Sequence, residues 1–221
     1  FRIASVSKQF TVTAALMLAA EGKLKLSDPP HKYLPELPPL PVTIDQMMRN
    51  SSGLPDFLEL LRLGGHGLDR PARPEDLFDA CTRNRHLNFA PGSRFLYSNT
   101  NFLLLGLIVE KLTKKKLGDV LAARIFEPLG MTDTQFQVPA AKLARAAQPG
   151  PRPKGQPMTP RFKVDDGAKY ESGGGGLTST MADYLRFAAM LANGGELNGK
   201  RLIGKQTLAF MTADHTGTRP G

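Results

Sequence analysis

The chain has 221 residues, 41% hydrophobic and 22% charged, with a net charge of +9. That apolar fraction excludes wholesale disorder, and no run of ~18 apolar residues marks a transmembrane helix. The single cysteine, Cys81, excludes an internal disulfide and a cysteine-rich zinc module, and leaves the redox compartment open.

The opening Phe1-Arg2-Ile3 has no initiator Met and no basic-plus-apolar leader, so no signal peptide is visible and the compartment stays open. A first element is expected to start near Ser5. From Phe10 to Ala20 nearly every residue is apolar or small, the pattern of a helix buried on all sides, and Gly22 is placed to cap its end. Leu24 to Pro41 reads as a proline-punctuated crossing. Thr43-Ile44-Asp45-Gln46 has the spacing of a capping box and predicts a second helix, stopped by Asn50-Ser51-Ser52-Gly53. Pro55 to Arg85 mixes helical pieces with a break at Gly64-Gly65-His66-Gly67.

Phe89-Ala90-Pro91-Gly92 reads as a turn feeding a short extended run, Arg94 to Tyr97. Asn99 or Thr100 is expected to cap the next helix, which carries Phe102, Leu103, Leu104, Leu107, Ile108 and Leu112. A helix over Asp119 to Phe126 ends at Pro128-Leu129-Gly130. Gln135 to Val164 has no acid but six bases (Lys142, Arg145, Arg152, Lys154, Arg161, Lys163), with Pro139, Pro149, Pro151, Pro153, Pro157 and Pro160. Proline at that density predicts a solvated loop. Its basic character offers neither a helical stripe nor interleaved aromatics, so nucleic acid is not an expected partner. Gly173 to Gly176 precede a helix opened by Thr180, with Tyr184, Phe187, Ala188 and Leu191 on one side and Asn193-Gly194-Gly195 at its end. Arg201 to Met211 reads as a short strand and helix. Helices dominate, strands are few, and no linker divides the chain.

Several familiar sites are absent: no Gly-x-Ser-x-Gly elbow, no His-Glu-x-x-His and no phosphate loop with Gly-Lys-Ser/Thr. His31, His66, His86 and His215 are scattered and read as surface or loop residues; no metal or cofactor is expected. The glycine run lacks the residues a phosphate loop needs, so it reads as a tight turn. What remains is Ser5-Val6-Ser7-Lys8. Residues three apart share a helix face, so Lys8 can reach the Ser5 hydroxyl. Serine is a poor nucleophile until a neighbour takes its proton. A lysine stripped of water is more readily neutral and can serve as that base, or it stays charged and helps a phenol to do so. By itself the spacing also fits Ser5 as a helix cap and Lys8 as a solvated first-turn residue. In Tyr97-Ser98-Asn99, residues i and i+2 of an extended segment project to one side, bringing a phenol and a carboxamide together. That pair alone equally fits an amphipathic tyrosine and an N-cap asparagine. Taken together the two clusters supply nucleophile, cation, phenol and amide, the components of acyl transfer without histidine.

Phe1 to Thr11, with Ser5-Val6-Ser7-Lys8 at its centre, resembles the active-serine segment of the class C β-lactamase-like serine hydrolases, a group of D,D-carboxypeptidases, D-aminopeptidases, β-lactamases and β-lactamase-like esterases. The likeness extends through Ser51-Ser52-Gly53-Leu54, Phe89-Ala90-Pro91-Gly92-Ser93, Tyr97-Ser98-Asn99, Phe126 to Met131, Gly174 to Thr180, Gly194-Gly195 and Gly199-Lys200-Arg201. It implies an α/β (α+β) β-lactamase/transpeptidase-like fold, with a helical subdomain and an antiparallel sheet that this chain only partly contains. Residues 1–221 are expected to be a single catalytic domain, truncated at both ends. The resemblance also implies an acyl-enzyme on Ser5, proton transfer by Lys8 with Tyr97, substrate binding by Asn99, and a small-molecule or peptide substrate carrying an amide, lactam or ester.

The family's third motif, Lys-Thr-Gly or His-x-Gly on a distant strand, is matched only by the letters of His215-Thr216-Gly217, whose helix-end context marks a chance match. Asn50 stands where many members carry His, and with Ser7-Lys8-Gln9-Phe10-Thr11 and Gly53-Leu54-Pro55-Asp56 this leans slightly toward the D-aminopeptidase branch. Two other readings remain: a β-lactamase-like carboxylesterase, and a non-catalytic member retained as a binding or scaffold module. Oligomeric state is left open.

Overall fold

A computed structural model describes residues 1–65, 74–147 and 171–215 of the chain. The stretch from Arg152 to Lys163 in the basic proline loop, together with His66, Gly67 and Thr216-Gly217, lies outside those residues. Helix α1 (Ser7–Ala20) runs through the centre, with Phe10, Ala14, Ala15 and Leu18 fully buried. It ends as expected at Gly22 (φ +73°), where the Gly22 N–H bonds the Ala19 carbonyl and the Lys23 N–H bonds Leu18, the paired closure that a left-handed glycine permits. Helix α2 (Ile44–Met48) starts on the predicted capping box: Thr43 accepts from the Gln46 N–H and Gln46 reaches back to the Thr43 N–H. Two further helices follow, α3 (Phe57–Leu63) and α4 (Pro74–Arg83).

Helix α5 (Asn99–Thr113) packs on α1 and buries Leu103, Leu104, Leu105 and Ile108. Neither Asn99 nor Thr100 caps it, contrary to expectation: the N-cap is Ser98, with no side-chain cap. The reason is competition. The Asn99 and Thr100 side chains are taken by partners elsewhere, and the Asn99 N–H is instead bonded at 2.6 Å by the Asp56 carboxylate. Among the described residues the expected extended run at Arg94–Tyr97 pairs with no strand, and a ladder-like bond joins the Leu96 N–H to the Asn50 carbonyl. The helix predicted over Asp119–Phe126 begins earlier, as α6 (Leu117–Leu121), widens into a π-type turn at Ala122–Phe126 and closes with α7 (Glu127–Leu129) before Gly130.

Helix α8 (Met181–Ala192) is capped by the Thr180 side chain, which accepts from the Asp183 N–H. A two-stranded antiparallel ribbon, β1 (Glu196–Leu197) with β2 (Lys200–Arg201), leads to α9 (Lys205–Thr212). Beyond the ribbon, Thr178 bridges both Arg2 and Gln135. Phe10 ties α1 to its neighbours: its ring lies 5.3 Å from Phe126 edge-on and 4.5 Å from Phe187. Burying such a ring stabilises by roughly 1.5–3 kcal/mol, with about 0.5–1.5 kcal/mol more for each well-placed aromatic pair.

Candidate active site

Residues Ala4–Val6 form a single 3-10 turn ahead of α1. Ala4 sits at φ +44°, a left-handed conformation that costs a non-glycine residue about 1–2 kcal/mol. Strain of this kind persists where surrounding structure over-determines the backbone, and here it delivers Ser5 to the mouth of α1. Ser5 is therefore no helix cap. One turn on, Lys8 is only 7% exposed, so it is not a solvated first-turn residue either.

Among the described residues Lys8 Nζ has three oxygen partners: Ser5 Oγ at 3.0 Å, Asn99 Oδ1 at 2.9 Å and the Gly174 carbonyl at 2.6 Å. Its amine also lies 4.7 Å from the centre of the Tyr97 ring and 5.1 Å from that of Phe102, distances at which aromatic faces attract a cation. Ser5 Oγ lies 2.6 Å from the Tyr97 hydroxyl. All four residues singled out in the sequence, Ser5, Lys8, Tyr97 and Asn99, thus meet in one hydrogen-bonded group. Two of the three positions around the Lys8 amine are filled by carbonyl oxygens, which only accept. The third faces Ser5 and can donate as an ammonium or accept as a neutral amine.

The Tyr97–Asn101 stretch is held from below. Asn50, buried and left-handed (φ +53°), accepts from the Ser98 N–H and Asn101 Nδ2 through its side-chain oxygen and from the Leu96 N–H through its carbonyl. Asparagine tolerates that backbone conformation better than most residues. Ser52 donates to Asn101 Oδ1 at 2.6 Å, and Thr100 Oγ1 donates to the Pro55 carbonyl while accepting from the Phe57 N–H. Asp56 Oδ2 accepts from Asn99 Nδ2 at 2.8 Å.

The glycine run does form a turn, and it also supplies a partner that the sequence reading missed, the Gly174 carbonyl. Gly173 wedges between α1 and α5. Thr11 Oγ1 donates to its carbonyl, and a Cβ there would stand 2.3 Å from the Phe102 carbonyl oxygen. Four glycines in a row signalled close backbone approach as well as a turn. The Asp56 contacts carried no such signal, since an N-cap Asp before α3 accounts for that residue type by itself.

Elsewhere, a shallow open cleft lined by Arg2, Asp133, Gln135, Lys142, Arg145 and Thr178 contains none of the four clustered residues. Its Asp133 is held down to about 2 by Arg145 and Lys142. Burial pushes the Cys81 thiol up to about 12. His215 follows α9, and its ring nitrogen meets the Phe210 carbonyl. Among the described residues no helix is long and apolar enough to cross a membrane.

The protein-family profile described as Beta-lactamase matches residues 1–221. Esterase EstB of Burkholderia gladioli is 33% identical over 89% of this chain and 58% of its own length. A D-aminopeptidase of Cereibacter sphaeroides (strain ATCC 17029 / ATH 2.4.9) is 30% identical over 86% of this chain and 36% of its own length. Among solved structures, D-amino acid amidase from Ochrobactrum anthropi SV3 superposes with a TM-score of 0.75 at 28% identity, covering 95% of this chain and 58% of that one. The chain therefore spans less than two thirds of the length of each of these relatives.

Proposed function

The chain belongs to the Beta-lactamase family, and from that premise we propose that residues 1–221 form part of a single catalytic domain of a serine hydrolase that cleaves amides or esters through an acyl-enzyme on Ser5. The observation that carries the reading is Ser5 Oγ within hydrogen-bond distance of both Lys8 Nζ and the Tyr97 hydroxyl. In this scheme the Ser5 oxygen attacks the substrate carbonyl carbon and its proton passes to Tyr97 or Lys8. The same group then hands the proton to the departing amine or alcohol, leaving the acyl group esterified to Ser5. Water attacks that ester, the proton route runs in reverse, and Ser5 is released.

Lys8 steadies the anionic oxygen formed along this path, since its amine already faces Ser5 and the Tyr97 ring. The Ser5 backbone N–H serves as one donor to the developing oxyanion; such a donor is worth about 2.7–4 kcal/mol in kcat. Asn99 binds a polar group of the substrate. Its side-chain oxygen is occupied by Lys8 and one amide hydrogen by Asp56, so the remaining hydrogen donates to a substrate carbonyl. The names esterase, D-aminopeptidase and D-amino acid amidase among the relatives support an ester or a D-configured amide as substrate.

The test is mass spectrometry of the full-length protein after exposure to a fluorophosphonate, a penicillin, a short-chain ester and a D-alanine amide. At least one is expected to leave a covalent adduct on Ser5, and Ser5→Ala is expected to remain unlabelled. Label that persists in Ser5→Ala overturns the assignment.

A further inference from the structure

We propose that Asp56 is a positioning residue for the reaction at Ser5: its carboxylate locks the Asn99 carboxamide so that the amide oxygen faces Lys8. The inference rests on the reading of Ser5, Lys8 and Tyr97 just given. A primary amide is two-faced. Turned by half a rotation, Asn99 would present its NH₂ group to the Lys8 amine, donor against donor. An ionised carboxylate only accepts, so an amide beside one must offer it hydrogen.

Asp56 Oδ2 receives both the Asn99 side-chain NH₂, at 2.8 Å, and the Asn99 backbone N–H, at 2.6 Å. With one end of the amide fixed in this way, Oδ1 is left 2.9 Å from Lys8 Nζ. Asn99 and Gly174 then hold two of the three positions around the Lys8 amine and aim the third at Ser5. Release of Asn99 removes one of those two anchors, and the amine loses its direction toward the nucleophile. Misplacement of a reacting group by about 1 Å can cost on the order of 10²-fold in rate.

Asp56 also caps α3, accepting from the Leu58 N–H at 2.8 Å through its other oxygen. Capping alone would make its role structural. Serine caps helices about as well as aspartate, whereas the lock on Asn99 needs a second, acceptor-only oxygen. Asp56→Ser therefore keeps the cap and removes the lock.

The test is a double-mutant cycle in the full-length protein on Asp56→Ser and Asn99→Ala. It reads kcat and KM for p-nitrophenyl acetate, the rate of fluorophosphonate labelling of Ser5, and Tm. Asp56→Ser is expected to lower kcat and the labelling rate at least tenfold, with KM within threefold of the parent. In the Asn99→Ala background it is expected to add less than a threefold further loss, because two residues acting through one contact are not additive. A rate for Asp56→Ser within twofold of the parent overturns the proposal, as do losses that multiply in the double variant. Should Asp56→Ser not fold, Asp56→Thr replaces it: threonine also caps helices and has a single hydroxyl oxygen in place of the carboxylate pair, so the same cycle and the same outcomes apply. A parent protein that takes no label at Ser5 removes the underlying hydrolase reading. A labelled parent with a fast Asp56 variant removes the positioning role alone.

Discussion

Tyr97→Phe separates chemistry from stability at this site. The substitution deletes one oxygen, the partner of Ser5 Oγ at 2.6 Å. Tyr97 is 43% exposed, so water replaces the lost bond in part, and the stability cost falls at the low end of the usual ~0.5–1.5 kcal/mol. The ring stays over the Lys8 amine, 4.7 Å from its centre, and that attraction survives in phenylalanine. For a domain of ~150–250 residues, 1 kcal/mol is about 2–4 °C in Tm, so the expected thermal shift is below about 4 °C. Turnover is expected to fall far more. General acid–base assistance contributes typically ~10²–10⁴-fold, equivalent to about 2.7–5.5 kcal/mol of barrier at ~1.36 kcal/mol per tenfold. The assay is steady-state hydrolysis of p-nitrophenyl acetate alongside a thermal melt, each on parent and variant. A Tyr97→Phe enzyme within threefold of parental kcat refutes proton handling by the phenol and moves that role to Lys8 alone.

Gly173→Ala is expected to destabilise by about 1–3 kcal/mol or more, because the added methyl meets the Phe102 carbonyl oxygen at 2.3 Å; urea unfolding reads the loss, and an unchanged midpoint would contradict the wedge. The Glu110 carboxyl is raised above the ordinary glutamate range, chiefly by burial and then by the nearby Glu171, against the opposing Leu117 N–H bond. A raised folded value means that the folded state holds its proton more tightly than the unfolded one. The linked stability is therefore present below the ordinary glutamate range and lost as pH rises through the folded value. Glu110→Gln keeps an acceptor for Leu117 and removes the charge, so its stability relative to the parent is expected to grow from pH 4 to pH 7 in denaturant titrations; a pH-independent difference refutes this. Cys81, with its thiol at about 12 and its side chain buried, is expected to resist iodoacetamide at pH 8 in the folded protein and to react once urea unfolds it.

Much of the helical framework was legible because its signals act over one turn of chain. The capping box at Thr43–Gln46, the Thr180 cap and the glycine closure of α1 each join residues at most five apart. Hydrogen-bond geometry within a turn is nearly the same in any protein, so residue type and spacing suffice. The Asn99 cap failed for the complementary reason. Local propensity offered that side chain to its own helix, while Lys8, 91 residues away, and Asp56, 43 residues away, competed for it and won.

The site divides along the same line. Spacing placed Ser5 beside Lys8 and Tyr97 beside Asn99, since residues three apart on a helical turn, or two apart on an extended segment, share a side. Each pair alone also fitted a bland reading, a helix cap and a solvated lysine or an amphipathic tyrosine and an N-cap asparagine. Only the folded chain set the two pairs face to face, added the Gly174 carbonyl from 166 residues along the sequence, and turned the Asn99 amide with Asp56. Such contacts form when packing of α1 against α5 brings together segments that no local rule connects. Their identity depends on which groups are left within reach of one another once the apolar surfaces have closed.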